Sequence, residues 1–454
     1  MACPPAPTRL RSSASWTTCI RMGSPTTHVV VGGGIAGLLA ARRLARGGAT
    51  VTLLEAADHW GGRVSSLELD SLVLDAGAES FATRGGVMTA LVSELGLESA
   101  IVAPTSAPAW VVSPERSYPL PATGWLGIPL RPFESEVRRI LGWRGAVRTL
   151  SDRWRSLGSV PDDITVGALV RDRLGDAVAD LLVAPVIAGV YSRSIDEIPL
   201  ASIAPGLPAE VRAAGSLIKA ATSRRKASPG GSAVLGIEGG LARLTGALVS
   251  ECEAAGVRLF TNARVASIAP GTDDWRVVVD GAGVSGGAKF VADAVVIAVP
   301  LPMALQWFPD IGSDAARYVA LVTLVLDAPA LDAAPRGTGV LTTGAVTRAK
   351  ALTHSTAKWP WLAARAGGRH VVRLSYAVND PEESVISYAV GDASRLLGVP
   401  LESWQVRAAT QVVWPDAGPV QVDLSRVPPG IELAGSAAGL TGLAAIVAAD
   451  AQAR

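Results

Sequence analysis

Hydrophobic and polar residues are most sharply patterned between residues 28 and 64. A short β-branched run at residues 29–31 is typical of a buried parallel strand. A glycine-rich turn follows, and residues 38–46 form a helical stretch of alanine, leucine and arginine that ends at a Gly-Gly pair. The apolar run at residues 49–54 predicts the next strand. Strand, turn, helix and strand in this order predict one unit of a parallel α/β sheet.

Later patterns predict further strands and helices. Residues 133–222 have a mostly helical pattern, with strands on either side. The strand-like runs are residues 67–74, 257–260, 277–279, 294–299, 318–326, 370–376 and 430–436. Helical patterns occur at residues 87–97, 162–173, 181–191, 236–255 and 392–397. The run AVVIAV at 294–299 returns the chain to the first sheet, so the domain that contains this sheet is predicted to be discontinuous.

Three glycines after the first strand have the spacing G-x-G-x-x-G. In this setting Gly32 allows the tight turn, Gly34 lets a pyrophosphate approach the backbone, and Gly37 lets the helix pack on the strand. The helix N-terminus would direct free amides and a partial positive charge toward the phosphates. Glu55 closes the second strand at about the 20-residue offset of an acid that binds ribose hydroxyls, and its charge disfavours the 2′-phosphate of NADP. This stretch predicts a dinucleotide site.

A second glycine turn, Gly61-Gly62-Arg63, follows directly. Together with the first motif and the acid, it resembles FAD-dependent proteins of the amine oxidase type rather than NAD dehydrogenases. The resemblance implies that the dinucleotide is FAD.

Composition excludes several classes of protein. The chain has 454 residues and a formal net charge of +1, so it has no overall field that would attract nucleic acid. Four histidines and three cysteines show no metal-ligand spacing. We therefore predict no metal, and the scattered thiols indicate a reducing, cytoplasmic setting. A hydrophobic fraction of 49% fits either a large α/β core or contact with a membrane surface.

Three segments bear on membrane attachment. Residues 1–26 lack the apolar run of a signal peptide, and we interpret them as a disordered lead or an upstream start before Met22. Residues 433–449 carry no charge but are short of the roughly 20 residues needed to span a bilayer, so a buried loop and helix against the cofactor is the preferred interpretation. Seven arginines between residues 131 and 155, with Trp143 and Trp154, form either a solvated helical face or a basic-aromatic surface for anionic lipid or a partner.

Several longer stretches resemble bacterial porphyrinogen oxidases, the FAD enzymes of late haem biosynthesis. These stretches are DAGAESFATR (75–84), YPLPATGWLGIP (118–129), ITVGALVRDRLGDAVADLLVAPVIAGVY (164–191), EGGLARL (238–244) and HSTAKWPWL (354–362). The resemblance covers nearly the whole chain from about Thr27. It implies oxidation of a porphyrinogen to a porphyrin in three two-electron steps, with hydride transfer to the flavin, dioxygen as acceptor and hydrogen peroxide as product.

The resemblance also implies a substrate preference. A composition rich in alanine, arginine and glycine indicates a high-GC, actinobacterial-type source. Porphyrinogen oxidases of such groups are associated with coproporphyrinogen III, which we therefore expect in preference to protoporphyrinogen IX.

Site residues follow from the same resemblance, although no catalytic acid or base can be named. Plant-like members carry an arginine for a substrate propionate where this chain has Ala109, so Arg84 or Lys358 is expected to bind the propionate instead. Val265 is expected to contact FAD through its backbone near the adenine. The expected FAD contacts are Gly32, Gly34, Gly37, Glu55, Gly62, Arg63, Gly77, Ala78, Val265, Trp359, Gly435 and Ser436.

The implied fold is α/β. A discontinuous Rossmann-like FAD-binding domain is combined with a sheet-containing substrate domain and an inserted helical domain that associates with membranes. After the lead at 1–26, the FAD-binding domain is expected at 27–100, 223–305 and 416–454. The substrate and helical parts are expected at 101–222, and the second substrate part at 306–415.

The C-terminal region departs from this family. The segment between Trp414 and Pro428 is shortened, residues 440–444 replace a Gly-Val-Gly-(Ile/Leu)-Pro sequence, and Asp450 replaces a glycine. Two alternatives therefore stay open. One is a related flavin oxidoreductase for an amine or a polyene, and the other is a non-catalytic flavoprotein that binds porphyrin and passes it to a ferrochelatase-like partner.

Overall fold

The computed structural model describes residues 26–83, 85–191, 193–227, 234–281, 287–312, 317–343, 346–415 and 422–453. The helices within these ranges are α1 (Ile35–Arg46), α2 (Val87–Glu94), α3 (Ser135–Leu150), α4 (Val166–Leu174), α5 (Asp176–Val178), α6 (Ala184–Tyr191), α7 (Leu200–Ile203), α8 (Leu207–Ala214), α9 (Leu217–Ala227), α10 (Ala242–Ala254), α11 (Leu301–Ala304), α12 (Ser355–Lys358), α13 (Pro360–Ala366), α14 (Ile386–Leu397) and α15 (Leu443–Gln452). A π-helical segment, Ala179–Val183, joins α5 to α6.

The strands within the same ranges are β1 (Thr27–Val31), β2 (Thr50–Leu54), β3 (Ser66–Leu69), β4 (Leu72–Asp75), β5 (Phe81–Ala82), β6 (Ile101–Val102), β7 (Ala109–Val112), β8 (Ser117–Pro119), β9 (Gly124–Trp125), β10 (Ile128–Pro129), β11 (Val234–Ile237), β12 (Arg258–Phe260), β13 (Arg264–Pro270), β14 (Trp275–Asp280), β15 (Lys289–Ala292), β16 (Ala294–Ile297), β17 (Tyr318–Leu326), β18 (Gly339–Thr342), β19 (Ala351–His354), β20 (His370–Val378), β21 (Val406–Pro415) and β22 (Ile431–Leu433).

A parallel sheet of five strands, in the order β12-β2-β1-β16-β22, is the structural basis of the first motif. Its strands come from three well-separated stretches of the chain. Val30, Leu53 and Val296 point to a core shared with α1 and α10, while Val29 and Val295 point to a second core shared with the sheet β13-β14-β15. Since both faces are covered, most of the buried strand positions on both sides of the sheet are apolar, as the sequence predicted. The domain bounds themselves stay predictions.

A second, seven-stranded sheet has the order β21-β17-β20-β19-β18-β7-β8. Alternate residues of its long strands, such as Val322 and Leu374, pack against Leu396 of α14. The residues between them, such as Thr323 and Arg373, face the opposite side and share a cavity with Asp75. The sheet therefore has one core face and one face turned toward the segment that follows β4.

Residues 133–227 are mostly helical, and a buried ion pair lies at their centre. Arg173 Nε is 2.6 Å from Asp152 Oδ1, and both side chains are fully buried. Asp152 Oδ2 also accepts hydrogen bonds from Ser216 Oγ at 2.6 Å and from the Ile218 amide at 2.9 Å. This ion pair joins the turn after α3 to α4 and to the start of α9.

Two local predictions were wrong. From its polar, basic sequence SRRKASPGG, the segment 223–231 was expected to be a turn between domains, but residues 223–227 continue α9. The rest of this segment lies outside the described residues. Gly236 was expected to open a helix, but it belongs to β11, which pairs with β6, and α10 begins at Ala242. In the second case long-range strand pairing outweighs the local sequence preference.

In the described part of the chain, no helix is both long and apolar enough to cross a membrane. Residues 433–449 contain the end of β22, a 3₁₀ turn at Gly435–Ala438 and most of α15. The segment is thus a loop and a helix, as the sequence favoured. The predicted lead, residues 1–26, lies outside the described residues except for Thr26.

Candidate functional site

Three glycines shape the turn between β1 and α1. Gly32 has a φ of +105°, in the region that favours glycine. A Cβ on Gly37 would lie 1.8 Å from the Gly32 carbonyl oxygen, so the helix can approach the turn this closely only without a side chain. Gly34 is the N-cap of α1, which has no acidic residue in its first turn and has Arg43 and Arg46 in its last. The backbone amides and the partial positive charge at this helix end suit a diphosphate.

Glu55 lies beside this turn, just after β2. Its Oε2 accepts a hydrogen bond from the Gly33 amide at 2.6 Å, and its Oε1 accepts one from the Ala57 amide at 2.8 Å. The Trp60 ring stands directly against Gly33, where a Cβ would lie 2.3 Å from the ring. The two amides hold the carboxylate at the edge where this type of fold binds ribose. Since a carboxylate has about four acceptor sites, it can still accept hydrogen bonds from hydroxyl groups.

The second glycine turn contacts the first. The Gly61 amide donates to the Gly33 carbonyl at 2.8 Å, and Gly61 has a φ of +107°. The 3₁₀ turn Gly62–Val64, which carries Arg63, follows directly. The two turns therefore form one continuous backbone surface at the N-terminus of α1.

The Gly77-Ala78 turn extends this surface. The Ala78 amide donates to the Arg63 carbonyl at 2.8 Å, and a Cβ on Gly77 would lie 2.3 Å from the same oxygen. On its other side the turn is tied to the seven-stranded sheet, because Trp414 Nε1 donates to the Ala76 carbonyl at 3.1 Å. This turn thus lies between the nucleotide-type sheet and the second sheet.

Two later stretches reach the same region. Gly435 has a φ of +62°, and a Cβ there would lie 2.6 Å from the Cβ of Ala36 in the first turn of α1, so Gly435 and Ser436 lie against that helix end. Val265 is buried on β13. Two residues earlier, the Ala263 amide donates at 2.8 Å to the backbone carbonyl of the predicted ribose acid. Residues distant in sequence therefore surround one site.

A cavity lies between the Gly77 turn and the seven-stranded sheet. Trp359 is buried beside it, and its ring contacts Gly236, where a Cβ would lie 2.7 Å from the indole. The lining residues are Leu74, Asp75, Glu79, Thr323, Ser355, Trp359, Trp361, Leu362, Val371 and Arg373. The lining thus combines apolar side chains with ionisable ones.

Glu79 connects three elements at this cavity. Its Oε1 lies 2.7 Å from Lys358 Nζ, while its Oε2 accepts a hydrogen bond from Ser355 Oγ at 3.1 Å and lies 3.3 Å from Arg373 Nη2. Burial by itself raises the pKa of Glu79, but Lys358 and Arg373 outweigh it and lower the pKa to about 2. Glu79 is therefore ionised. The role of Lys358 in substrate binding stays a prediction, and its ammonium group already has a partner within the protein.

Asp75 is the second carboxylate at the cavity. Its Oδ1 accepts a hydrogen bond from the Leu241 amide at 2.8 Å, just before α10. Burial raises its pKa to about 7, against the lowering effect of Arg373. From the sequence, residues 75–84 were singled out for the family resemblance, and neither Asp75 nor Glu79 was given a role. The available signal was a pair of carboxylates four residues apart in an otherwise apolar stretch.

The remaining site predictions concern Arg84, a metal site and the individual FAD contacts. Arg84, the other candidate for a propionate, lies outside the described residues. Within the described ranges, no three His, Cys, Asp or Glu side chains are grouped as metal ligands. The assignment of the individual FAD contacts stays a prediction, although the structure brings most of these residues together around the N-terminus of α1.

Comparison with known proteins gives matches along most of the chain. Residues 35–446 match the model of the flavin-containing amine oxidoreductase family. The chain is 31% identical to coproporphyrinogen III oxidase of Mycobacterium tuberculosis (strain H37Rv), over 94% of this chain and 96% of that protein. It is 29% identical to coproporphyrinogen III oxidase of Staphylococcus aureus, over 73% of this chain and 74% of that protein.

Solved structures share the fold. A protein from Exiguobacterium sp. 255-15, provisionally described as a protoporphyrinogen oxidase, has a TM-score of 0.79 at 25% identity, covering 95% of this chain and 98% of that chain. Putrescine oxidase bound to putrescine has a TM-score of 0.61 at 16% identity, covering 95% of this chain and 100% of that chain. At this lower identity the likeness concerns the fold alone.

Proposed function

This chain belongs to the flavin-containing amine oxidoreductase family and uses FAD, and we propose that it oxidises a porphyrinogen to the corresponding porphyrin in haem biosynthesis, with coproporphyrinogen III as the preferred substrate. One observation carries the proposal. Relatives that match this chain over almost its whole length are named coproporphyrinogen III oxidase.

We assign the cofactor-binding roles as follows. The amides around Gly32, Gly34 and Gly37 bind the diphosphate, and Glu55 binds the ribose hydroxyls. The backbone of Val265 would contact the adenine. The rest of the cofactor would be held by Gly62, Arg63, Gly77, Ala78, Trp359, Gly435 and Ser436. Support comes from the close backbone approaches at Gly37 and Gly77, where a side chain would overlap a carbonyl oxygen. FAD, when bound, supplies the hydride acceptor.

The proposed overall reaction removes six hydrogen atoms from the porphyrinogen in three two-electron steps. Each step reduces one dioxygen to one hydrogen peroxide, so electrons and protons balance. Arg84 and Lys358 are the proposed propionate contacts, and Lys358 could act in this way only by sharing or leaving Glu79.

The test uses purified protein that retains its flavin. Chemically reduced coproporphyrinogen III and protoporphyrinogen IX are supplied separately in air, and porphyrin fluorescence and peroxide are followed. We expect faster turnover of coproporphyrinogen III, with three peroxides per porphyrin. Flavin-loaded protein that oxidises neither compound would refute the proposal.

Two alternatives make different predictions in the same experiment. A flavin oxidoreductase for amines or polyenes would reduce its flavin with those compounds and not with a porphyrinogen. A non-catalytic flavoprotein that hands porphyrin to a ferrochelatase-like partner would bind porphyrin without turnover. Its only support is the altered C-terminal sequence.

We further propose a cytoplasmic protein with peripheral membrane contact through the basic-aromatic surface, beside which Phe133 and Val147 are also exposed. Trp143 is 65% exposed and Trp154 is 75% exposed, and Arg138 lies 4.6 Å from the centre of the Trp143 ring. Such surfaces bind anionic interfaces. The test is co-sedimentation with vesicles that contain phosphatidylserine, using wild type and a Trp143→Ser/Trp154→Ser variant. Equal binding by both proteins, or no binding by wild type, would refute it.

A further inference from the structure

Four ionisable side chains line or adjoin the cavity, and none of them is among the expected FAD contacts. Two are carboxylates, Asp75 and Glu79, and two are cations, Lys358 and Arg373. We propose that Glu79 is a positioning residue that balances the charge of Lys358 and Arg373 beside the flavin ring and thereby sets the reduction potential of the bound flavin. The proposal rests on the proposed function in one respect, namely that the flavin ring lies against the Gly77-Ala78 turn and Trp359.

The position of these charges supports the proposal. Glu79 directly follows the Gly77-Ala78 turn, and Lys358 directly precedes Trp359. Lys358 Nζ lies 4.9 Å from the centre of the Trp359 ring. Each partner of the ion pair is therefore one residue away from a group that is expected to contact the flavin.

Little water reaches this cluster. The side chains of Glu79, Lys358 and Arg373 are 9%, 15% and 12% exposed. Charges in such surroundings are screened less than charges at the surface, so they act on a neighbouring ring over several ångströms. Because reduction adds electron density to the flavin, an unbalanced cation favours the reduced form and an unbalanced anion favours the oxidised form.

The arrangement also explains why a glutamate is needed. Without Glu79, Lys358 on α12 would lose the carboxylate that lies 2.7 Å from its Nζ, and Arg373 on β20 would be left with Asp75 as a neighbouring carboxylate. With Glu79 present, both of its oxygens are engaged: one binds Lys358, and the other binds Ser355 and Arg373. The same contacts hold the turn that precedes Glu79 at a fixed distance from α12 and from the second sheet.

The experiment measures the midpoint potential of the bound flavin by anaerobic reduction in equilibrium with a reference dye, without substrate. Glu79→Gln keeps the shape of the side chain and removes its charge. We expect its equilibrium constant for reduction to rise about tenfold, which for a two-electron couple is about 30 mV toward positive potential. Lys358→Met should shift the potential in the opposite direction, and the double variant should return near the wild-type value.

A matched control is available in the same part of the molecule. Asp70 Oδ2 lies 2.7 Å from Arg369 Nη1, and both side chains are partly buried. This pair joins the β3-β4 hairpin to the residue that precedes β20, and neither partner lines the cavity. Asp70→Asn should leave the potential unchanged. An unchanged potential in both Glu79→Gln and Lys358→Met, shifts of the same sign in both, or an equal shift in Asp70→Asn would overturn the proposal.

If Glu79→Gln does not retain flavin, the midpoint potential of Lys358→Met tests the proposal alone. A potential that stays constant or rises in that variant contradicts the proposal. Failure of the proposed function is distinguishable. It would appear as absent porphyrinogen oxidation by wild type, whereas the potentials are measured without any porphyrinogen.

Discussion

The guanidinium of Arg43 on α1 binds the carboxylate of Asp450 on α15, with Nε 2.9 Å from Oδ1. Its Nη2 also lies 2.6 Å from Glu432 Oε1 on β22. Asp450 is one of the departures from the porphyrinogen oxidase pattern, which has a glycine there. In this chain Asp450 ties α15 to α1 through Arg43, and Glu432 ties β22 to the same guanidinium.

Asp450→Ala should therefore loosen α15. The side chain of Asp450 is 9% exposed, and loss of a charged hydrogen bond in such a position lowers the free energy of unfolding by about 1–3 kcal/mol. Urea unfolding measures this loss, and hydrogen exchange should localise it to α15 and β22. Glu253→Ala, at an exposed position on α10, is the control and should unfold like wild type. Equal stability of Asp450→Ala and wild type would contradict the claim that the ion pair of Arg43 and Asp450 stabilises the packing of α15 on α1.

The buried pair of Asp152 and Arg173 predicts a larger effect. Asp152→Ala leaves the Arg173 guanidinium buried without its carboxylate, which typically destabilises a protein by about 3–5 kcal/mol. Thermal unfolding of the flavin-loaded protein should show a clear fall in Tm. Arg131→Ala disrupts an exposed pair with Glu134 and should leave Tm nearly unchanged. A similar Tm for the two variants would show that the buried pair is not the centre of the helical region.

Close backbone packing at Gly37 predicts a loss of cofactor. Gly37→Ala places a methyl group within 1.8 Å of the Gly32 carbonyl oxygen, so the turn and α1 must separate. We expect at least a tenfold weaker affinity for FAD, measured by the flavin absorbance that remains after dialysis. Gly246→Ala is the matched control, because its new Cβ would meet no atom within 4 Å and alanine favours the interior of α10. Full flavin content in Gly37→Ala would count against the assigned diphosphate site.

A buried histidine pair predicts a dependence of stability on pH. His354 is 1% exposed, its Nε2 lies 3.2 Å from His370 Nδ1, and His370 Nε2 lies 2.9 Å from Asp332 Oδ1. Burial, with a smaller effect of His370, lowers the pKa of His354 to about 4. A histidine with a lowered pKa binds its proton more readily when unfolded. The neutral His354 side chain therefore contributes fully to the free energy of unfolding above the unfolded pKa near 6.5. This contribution is lost as the pH falls toward 4.

The expected loss is about 3 kcal/mol of unfolding free energy across this window. Urea unfolding at pH 7 and pH 5 should show about 2 kcal/mol of this loss for wild type, and the same comparison is made for His354→Gln. The variant should lose less stability between the two values, because its side chain does not titrate. An identical pH dependence of stability in both proteins would refute the claim that protonation of His354 causes the loss.

Much of the nucleotide-type site could be predicted because its determinants are local. β1, the glycine turn, α1 and β2 follow one another within a short stretch, and each glycine has a steric reason that holds in any protein of this fold. Short apolar runs in the sequence likewise predict buried parallel strands. The sequence by itself therefore determined the α/β class and the glycine turn between β1 and α1, with Glu55 at the end of the next strand.

Only the tertiary structure decided which distant residues meet. Lys358 and Glu79 are separated by 279 positions, and nothing local in either segment indicates that they pair. Strand pairing likewise placed Gly236 in β11 rather than at a helix start. The physical reason is that an ion pair or a strand partner depends on the distance and burial that the whole fold creates. A sequence pattern indicates only the local secondary-structure preference of each segment, without the contacts that the segment makes in the folded protein.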